Sequence, residues 1–274
     1  MFGLVRTGVM KLELHGVSKK YSDHNVEALK EVNLGIEAGD FIAICGPSGC
    51  GKSTLLNIIG LIDKPSLGTV SFGGADINAL TDEGLTRLRG QRVGFVFQFF
   101  NLLSTLTVEE NVALPLEIAS SNKGHAASMT EGDLRKKVME TLERVGIAKR
   151  ASFYPSQLSG GEMQRAAIAR AVIHSPEILV ADEPTGNLDS ESGKVVLELL
   201  KQLNERDGQT IIMATHSAEA SGYAGRVIVM IDGKIVSEAG SGIGASSSEN
   251  VKPSPSADNV DLESRDVKPV SGDV

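Results

Sequence analysis

The run Phe41-Ile42-Ala43-Ile44-Cys45 and the segment after it, Gly46-Pro47-Ser48-Gly49-Cys50-Gly51-Lys52-Ser53, constrain this chain more than any other part of it. An unbroken apolar run that ends in glycine predicts a central strand buried on both faces. Beyond Ser53 and Thr54, the residues Leu55, Leu56, Ile58 and Ile59 predict an apolar helix. Between a strand and a helix, the pattern G-x-x-x-x-G-K-[ST] reads as a phosphate-binding loop. Its glycines let the backbone curl so that successive N–H groups point inward, and the helix start adds partial positive charge. Lys52 is expected to reach β- and γ-phosphates, and the Ser53 hydroxyl to hold Mg2+. A chance Gly-rich turn is the alternative, and the flanking strand and helix argue against it.

Two further apolar runs, 178–181 and 211–214, read as buried strands of the same kind, each followed by polar or turn residues. Residues 11–16 alternate and predict a half-exposed strand. Val227 to Ile231, then Asp232-Gly233, then Lys234 to Val236 predict a hairpin. The middle of the chain, about 99–160, differs. Residues 108–119 and 131–145 predict helices, the second with Leu134, Val138, Leu142 and Val145 on one face and Thr130 as its N-cap. Ser120 to Ser128 is small and polar and reads as a surface loop. The region is therefore expected to be a helical subdomain set into an α/β core. From 240 to 274 the chain is rich in Gly, Ser, Pro and acids, with too few large apolar residues to offset the entropy of ordering, so a disordered tail is expected.

Composition excludes several classes. The formal net charge is -8 and there is no Trp, which disfavours a nucleic-acid binder, whose phosphate contacts need excess Lys and Arg. Cys45 and Cys50 are the only cysteines and flank the Gly-rich loop, which fits a reducing compartment rather than a structural disulfide. No basic stretch followed by an apolar one opens the chain, so no signal peptide is expected, and Met10 is a second candidate start. No apolar run approaches the ~18 residues of a membrane span, so any membrane role is expected to come through a partner.

Ile178-Leu179-Val180-Ala181 ends in two acids, Asp182 and Glu183. Asp182 stands where a carboxylate can orient Mg2+ beside Ser53. Glu183, one residue on, is displaced enough to act on an attacking water, which a general base must reach by hydrogen bond. Two solvated acids at a strand end would be the bland reading in the absence of the phosphate loop.

Four more elements follow in a familiar order. Leu158-Ser159-Gly160-Gly161-Glu162-Met163-Gln164-Arg165 resembles the signature motif of ABC ATPases; Gln98 resembles the Q-loop glutamine, Asn187-Leu188-Asp189 the D-loop, and Thr215-His216 the switch histidine. Tyr21 resembles the aromatic that stacks on adenine. Each has a plain reading as well. Ser159 with Glu162 is also a capping box, and His216, Gln98 and Tyr21 alone would be ordinary polar or surface residues. The resemblance covers about residues 11–238. It implies an α/β fold: a P-loop (RecA-like) ABC ATPase core with an N-terminal antiparallel β subdomain and an inserted α-helical subdomain. It also implies ATP hydrolysis with ATP and Mg2+ as cofactors. Residues 46–54, Tyr21, Gln98, 159–161 and Asp189 would contact the nucleotide; Ser53, Asp182 and Gln98 would contact the metal; Glu183, His216 and Lys52 would carry the chemistry. The phosphate loop and the signature motif of one subunit lie far apart in this family, so two chains would pair head to tail around two ATP molecules. A bulky thiol reagent on Cys50 is expected to block ATP, with bound MgATP protecting it.

Segments 96–103, 106–116, 181–190 and 55–65 are similar to the LolD/MacB/FtsE group. That resemblance implies separately encoded permeases of the LolCE, MacB or FtsX type and a peripheral place on the cytoplasmic face of the cell membrane, with no nucleic-acid partner. A non-transport ATPase that transmits a regulatory signal would carry the same motifs, so only its partner would distinguish it. A soluble ABC protein of ribosomes or DNA would usually show two ATPase domains or a coiled-coil insertion, and neither is present.

Overall fold

The computed structural model describes residues 10–21, 26–121 and 129–240. The expected tail therefore lies outside the described residues from 241 onward, as does most of the expected loop at 120–128. The chain opens with two long strands, β1 (Met10–Tyr21) and β2 (Val26–Glu37), which pair antiparallel through several register shifts. Strand β3 (Phe41–Cys45) leads into helix α1 (Lys52–Ile59). Strands β4 (Leu67–Phe72) and β5 (Ala75–Asp76) complete a four-stranded sheet in the order β2-β1-β4-β5. Helix α2 (Asp82–Arg92) feeds strand β6 (Val93–Val96).

Helices α3 (Val108–Ser121), α4 (Glu131–Arg144) and α5 (Gly160–Val172) follow. As expected, Thr130 caps α4, its hydroxyl oxygen accepting from the Asp133 amide at 3.2 Å. Strand β7 (Ile178–Asp182), helix α6 (Ser190–Asp207), strand β8 (Thr210–Thr215), the short α7 (Ala218–Ser221) and the hairpin β9 (Arg226–Ile231) to β10 (Lys234–Gly240) end the described chain. The hairpin turns on Asp232 and Gly233, both at positive φ, as an Asp-Gly turn matched to strand twist requires.

The second sheet has six strands in the order β10-β9-β3-β8-β7-β6, parallel except for β9 with β10. Its central strands are apolar on both faces because both faces are covered. On one side Ile42, Ile44, Val180, Ile212 and Ala214 pack with α1 and the inner face of the antiparallel sheet, where Leu12, Leu14 and Phe72 are fully buried. On the other, Ala43, Leu179, Ala181, Ile211 and Met213 share a cluster with α5, α6 and the inward faces of α3 and α4. Val108, Val112, Val138 and Leu142 belong to that same cluster, so the helical insertion packs on the sheet face through α5 rather than on a core of its own. Each fully buried Ile or Leu contributes about 1.5–3 kcal/mol, and this anchors β3, β7 and β8 as a rigid floor.

Candidate active site

Parallel strands end on the same edge. The residues that follow β3, β6, β7 and β8 therefore gather along one edge of the sheet, where ligands of such sheets bind. Those residues are Gly46, Phe97 and Gln98, Glu183, and His216.

The phosphate loop is shaped by close backbone approaches. A Cβ on Gly46 would lie 2.2 Å from the Met230 carbonyl oxygen, and one on Gly51 2.5 Å from that of Ala28. Both glycines have positive φ, at 150° and 105°, so no side chain would fit either place. Gly51 is also the N-cap of α1, and no side chain caps the helix. Just before it the Cys50 carbonyl accepts from the Gly233 amide at 3.0 Å, so the β9–β10 turn braces the loop. Lys52 is buried to 7% exposure, and its Nζ donates to the carbonyls of Gly46 at 2.8 Å and Pro47 at 3.0 Å. Pro47, Ser48, Gly49 and Ser53 are exposed, while Thr54 is half-buried. Cys50 points the other way: its side chain is 4% exposed and belongs to the core beneath the loop.

The acids at the end of β7 take two different environments. Asp182 is hydrogen-bonded by the Ser53 side chain. Burial raises its carboxyl above the usual range; the Ser53 bond lowers it, the Glu183 charge raises it further and Lys52 lowers it. Glu183 stands at φ 46°, a left-handed conformation that costs about 1–3 kcal/mol in a non-glycine residue and concentrates at functional sites. Its amide donates to the Ala214 carbonyl at 3.0 Å, tying the turn to β8. Its Oε1 lies 3.2 Å from Nδ1 of His216, whose side chain is 66% exposed. Glu183, Gly186, Asp189, Lys194, His216 and Glu219 line a cleft of roughly 190 Å³ beside these groups.

Gln98 is half-buried and packs on the turn after β7: a Cβ on Gly186 would meet its Nε2 at 2.9 Å. Asp189 is the N-cap of α6 and accepts from the Ser192 amide at 2.9 Å, which lowers its carboxyl pKa. Ser159 caps α5 in a full capping box: its amide donates to Glu162 Oε2 at 2.9 Å, and its Oγ accepts from the Glu162 amide at 3.3 Å. Gly160 and Gly161 lie against Leu188 and Ser192, close to the start of α6. No hydrogen bond among the described residues joins 159–161 to the phosphate loop. Tyr21 ends β1 opposite Val26, two residues from the Ala28 carbonyl that abuts Gly51. Its hydroxyl donates to Asp63 at 3.1 Å, and the Lys19 ammonium sits 5.1 Å from its ring centre.

Residues 29–186, more than half of the chain, match the family model described as ABC transporter. The chain belongs to the ABC transporter ATP-binding family. It is 44% identical over 230 residues to the ABC transporter ATP-binding protein MJ0796 of Methanocaldococcus jannaschii, covering 83% of this chain and 96% of that one. It is 42% identical to the lipoprotein-releasing system ATP-binding protein LolD of Geobacter metallireducens, over 83% of this chain and 98% of LolD. It is 46% identical to the macrolide export ATP-binding/permease protein MacB of Chlorobium luteolum, over 83% of this chain but only 33% of MacB. Among solved structures, a dimeric post-hydrolysis state of the MJ0796 cassette bound to ADP and Pi superposes with a TM-score of 0.76 at 43% identity, covering 84% of this chain and 98% of that one. The chain is thus an ABC-type ATPase with an ATP-binding site on the P-loop ABC fold, and the expectations for its fold class and activity hold.

Sequence reasoning did not foresee how residues 97–101 are held. Gln164 donates to the Phe97 carbonyl at 3.4 Å, Asn187 to that of Gln98 at 3.0 Å, and Arg170 to those of Phe100 and Asn101. Neither helical spacing nor a local motif marks these contacts, because each joins residues more than sixty positions apart.

Proposed function

We propose that two copies of this chain pair head to tail around two ATP molecules and drive separately encoded membrane permease subunits from the cytoplasmic face of the membrane. In the loop of residues 46–54, the backbone amides other than that of Pro47, which has no N–H, hold the nucleotide phosphates together with Lys52. Ser53 and Asp182, already joined by a hydrogen bond, hold Mg2+ with Gln98. Burial raises the Asp182 carboxyl, and a dication bound beside it would favour the ionised form. No cluster of three or more His, Cys, Asp or Glu side chains occurs among the described residues. The proposed set contains a single carboxylate, Asp182, beside the Ser53 hydroxyl and the Gln98 amide, which suits an ion held otherwise by substrate phosphates and water. When bound, Mg2+ neutralises charge between the β- and γ-phosphates.

Glu183 accepts a proton from the attacking water. His216, 3.2 Å from it, orients that carboxylate and reaches toward the γ-phosphate. Tyr21 supplies an aromatic face for adenine. Residues 159–161 of one subunit close over the ATP of the other, and Asp189 lies at the same interface. LolD is named as the ATP-binding protein of a lipoprotein-releasing system and MacB as a macrolide export ATP-binding/permease protein, which supports a transporter of that type. No described helix is long and apolar enough to cross a membrane, so a spanning partner is required by the reading.

The observation that carries this reading is the gathering of Lys52, the Ser53–Asp182 pair and the Glu183–His216 pair along one sheet edge, with residues 159–161 not bonded to it. Glu183→Gln should bind ATP without turning it over, since loss of a positioned base costs about 10²–10⁴-fold in rate. On a sizing column with ATP it should run at twice the monomer mass, and with ADP or no nucleotide at the monomer mass. Adding Ser159→Arg should abolish the shift. A double variant that still dimerises with ATP would show that the signature segment is not at the interface.

A further inference from the structure

Gln98 leaves β6 into a stretch without regular structure, 97–107, that runs to the start of α3. Such a stretch needs partners for its backbone groups, and here side chains supply them. The carbonyls of Phe97, Phe100 and Asn101 are held by Gln164 and Arg170, both on α5. Phe100 and Asn101 stand at φ 58° and 52°, positions that non-glycine residues keep only when neighbours over-determine them. Gln164 is fully buried, so on this side the segment is fixed to the signature helix.

The Gln98 carbonyl is held from a different element. Asn187 Nδ2 donates to it at 3.0 Å from the turn that follows Glu183. One residue earlier, the bare Cα of Gly186 seats the Gln98 side chain: a Cβ there would lie 2.9 Å from Nε2 and 3.4 Å from both Cδ and Cγ. The Gly186 amide in turn donates to the Glu183 carbonyl at 3.0 Å. One short turn therefore carries Glu183, the seat of the Gln98 amide and the tether of the Gln98 backbone.

We propose that Asn187 and Gly186 are positioning residues for Gln98, so that the turn bearing Glu183 sets where the Gln98 amide lies relative to the metal and γ-phosphate. The proposal rests on the reading of Gln98 as a metal-site group. Asn187 fixes the backbone through one hydrogen bond; Gly186 fixes the amide by leaving room for it. The two contacts differ in what their loss should do to stability. A methyl on Gly186 meets only the end of a flexible side chain, which can swing away, so the fold is preserved while the amide moves.

The test compares Gln98→Ala, Asn187→Ala, Gly186→Ala and the double variant Gln98→Ala/Asn187→Ala as intact chains. It reads kcat, the Mg2+ concentration for half-maximal hydrolysis, the affinity for a fluorescent ATP analogue without Mg2+, and the melting temperature. Asn187→Ala should lower kcat about fivefold, the size of one hydrogen bond, and raise the Mg2+ requirement by a similar factor. Metal-free nucleotide affinity should stay within about twofold. Gly186→Ala should act in the same direction with an unchanged melting temperature. In the Gln98→Ala background, Asn187→Ala should cost nothing further, because residues that act through one another are non-additive. Multiplying losses in the double variant, or an unchanged Mg2+ requirement in Asn187→Ala, would overturn the proposal. A Gln98→Ala variant indistinguishable from the parent chain would instead remove the metal-site reading on which it rests.

Discussion

Two helix starts in this molecule solve the same problem in opposite ways. Every helix begins with amides that have no partner inside the helix. At α1 the N-cap is Gly51, in a left-handed conformation and with no side chain to offer, so the helix start has no side-chain cap. At α5 the N-cap is Ser159, and with Glu162 it closes a reciprocal capping box. Arg150 then holds the second Glu162 oxygen at 2.8 Å. The first start leaves its amides without a side-chain partner, as the proposed phosphate site needs, and is shaped by its neighbours: Met230, Ala28 and the β9–β10 turn. The second is self-sufficient at two of its amides, and only those of Gly160 and Gly161 have no hydrogen-bond partner among the described residues. A glycine-rich helix start is thus not one kind of site. Who satisfies the amides decides whether it holds a phosphate by itself or contributes to one held elsewhere.

Lys52 and Ser159 test that contrast directly. On the proposed reading Lys52→Ala removes charged hydrogen bonds to phosphate, worth about 3 kcal/mol or more together, so ATP affinity should fall ~100-fold or more. Ser159→Ala should cost about 1 kcal/mol of stability, the usual size of a lost N-cap, and leave ATP affinity of the monomer unchanged. Calorimetric titration of both variants at concentrations where the chain is monomeric measures the difference. If Ser159→Ala weakens monomer binding as Lys52→Ala does, the two helix starts serve one nucleotide and the contrast fails.

A smaller effect separates the two starts by pH. The amide of Ser159 and the guanidinium of Arg150 together pull the Glu162 carboxyl from 4.5 down to about 2. A carboxyl depressed on folding adds stability above its unfolded pKa and loses it as pH falls through the folded one. The contribution of α5's cap should therefore be complete above about pH 4.5 and fade toward pH 2. Glu162→Gln can keep the box but not the charge. It should be less stable by about 1 kcal/mol at pH 7, a value held down by the partly exposed Arg150. Urea unfolding of both proteins at several pH values should show the gap closing on the acid side. A constant gap would mean that packing, not charge, accounts for it.

What the sequence made legible follows the same division. The spans of β3, β7 and β8, the Thr130 cap, the Asp232–Gly233 hairpin and the Ser159–Glu162 box are all written in neighbouring residues, within a turn or a strand length. The pairing of Ser53 with Asp182 could be inferred because Ser53 opens the helix that follows one parallel strand and Asp182 ends another, so both fall on the same edge of the sheet. The path of residues 97–107 could not. Helix α3 begins only at Val108, and what precedes it is fixed by Gln164, Arg170 and Asn187, whose contacts depend on tertiary placement. Strand β2 alternates over its second half, where Val32, Leu34 and Ile36 are buried, but its first half has no such period, and its pairing with β1 slips register four times.

The last and smallest effect concerns the residue just before the N-cap of α1. From the sequence alone, a bulky thiol reagent on Cys50 is expected to block ATP and bound MgATP to protect the residue, while the access of a reagent to the sulfur is left open. The structure turns its side chain inward: at 4% exposure it packs in the cluster that holds Leu29, Leu55 and Met230. Its carbonyl, not its thiol, meets the neighbouring turn, through the Gly233 amide at 3.0 Å. A reagent can then reach the sulfur only when the loop opens, and labelling reports the free energy of that opening. Cys45, the other thiol, is half-buried, and burial raises its pKa, with a hydrogen bond from Ser221 and the Lys52 charge pulling the other way. It too should react slowly, because the thiolate is the nucleophile. A Cys45→Ser chain isolates Cys50, and its maleimide labelling in buffer should run at least ~100-fold slower than in denaturant. MgATP should add only a further slowing, by stabilising the closed loop in proportion to its binding. Cys50→Ser should retain nearly full ATP affinity, since no phosphate contact is lost, while its melting temperature falls a few degrees from burying a hydroxyl where a thiol had packed. Rapid labelling of Cys50 in buffer, blocked by MgATP, would show that the sulfur faces the phosphates. The α1 start would then be lined by a side chain after all, and its difference from the Ser159 start would narrow to which side chain does the lining.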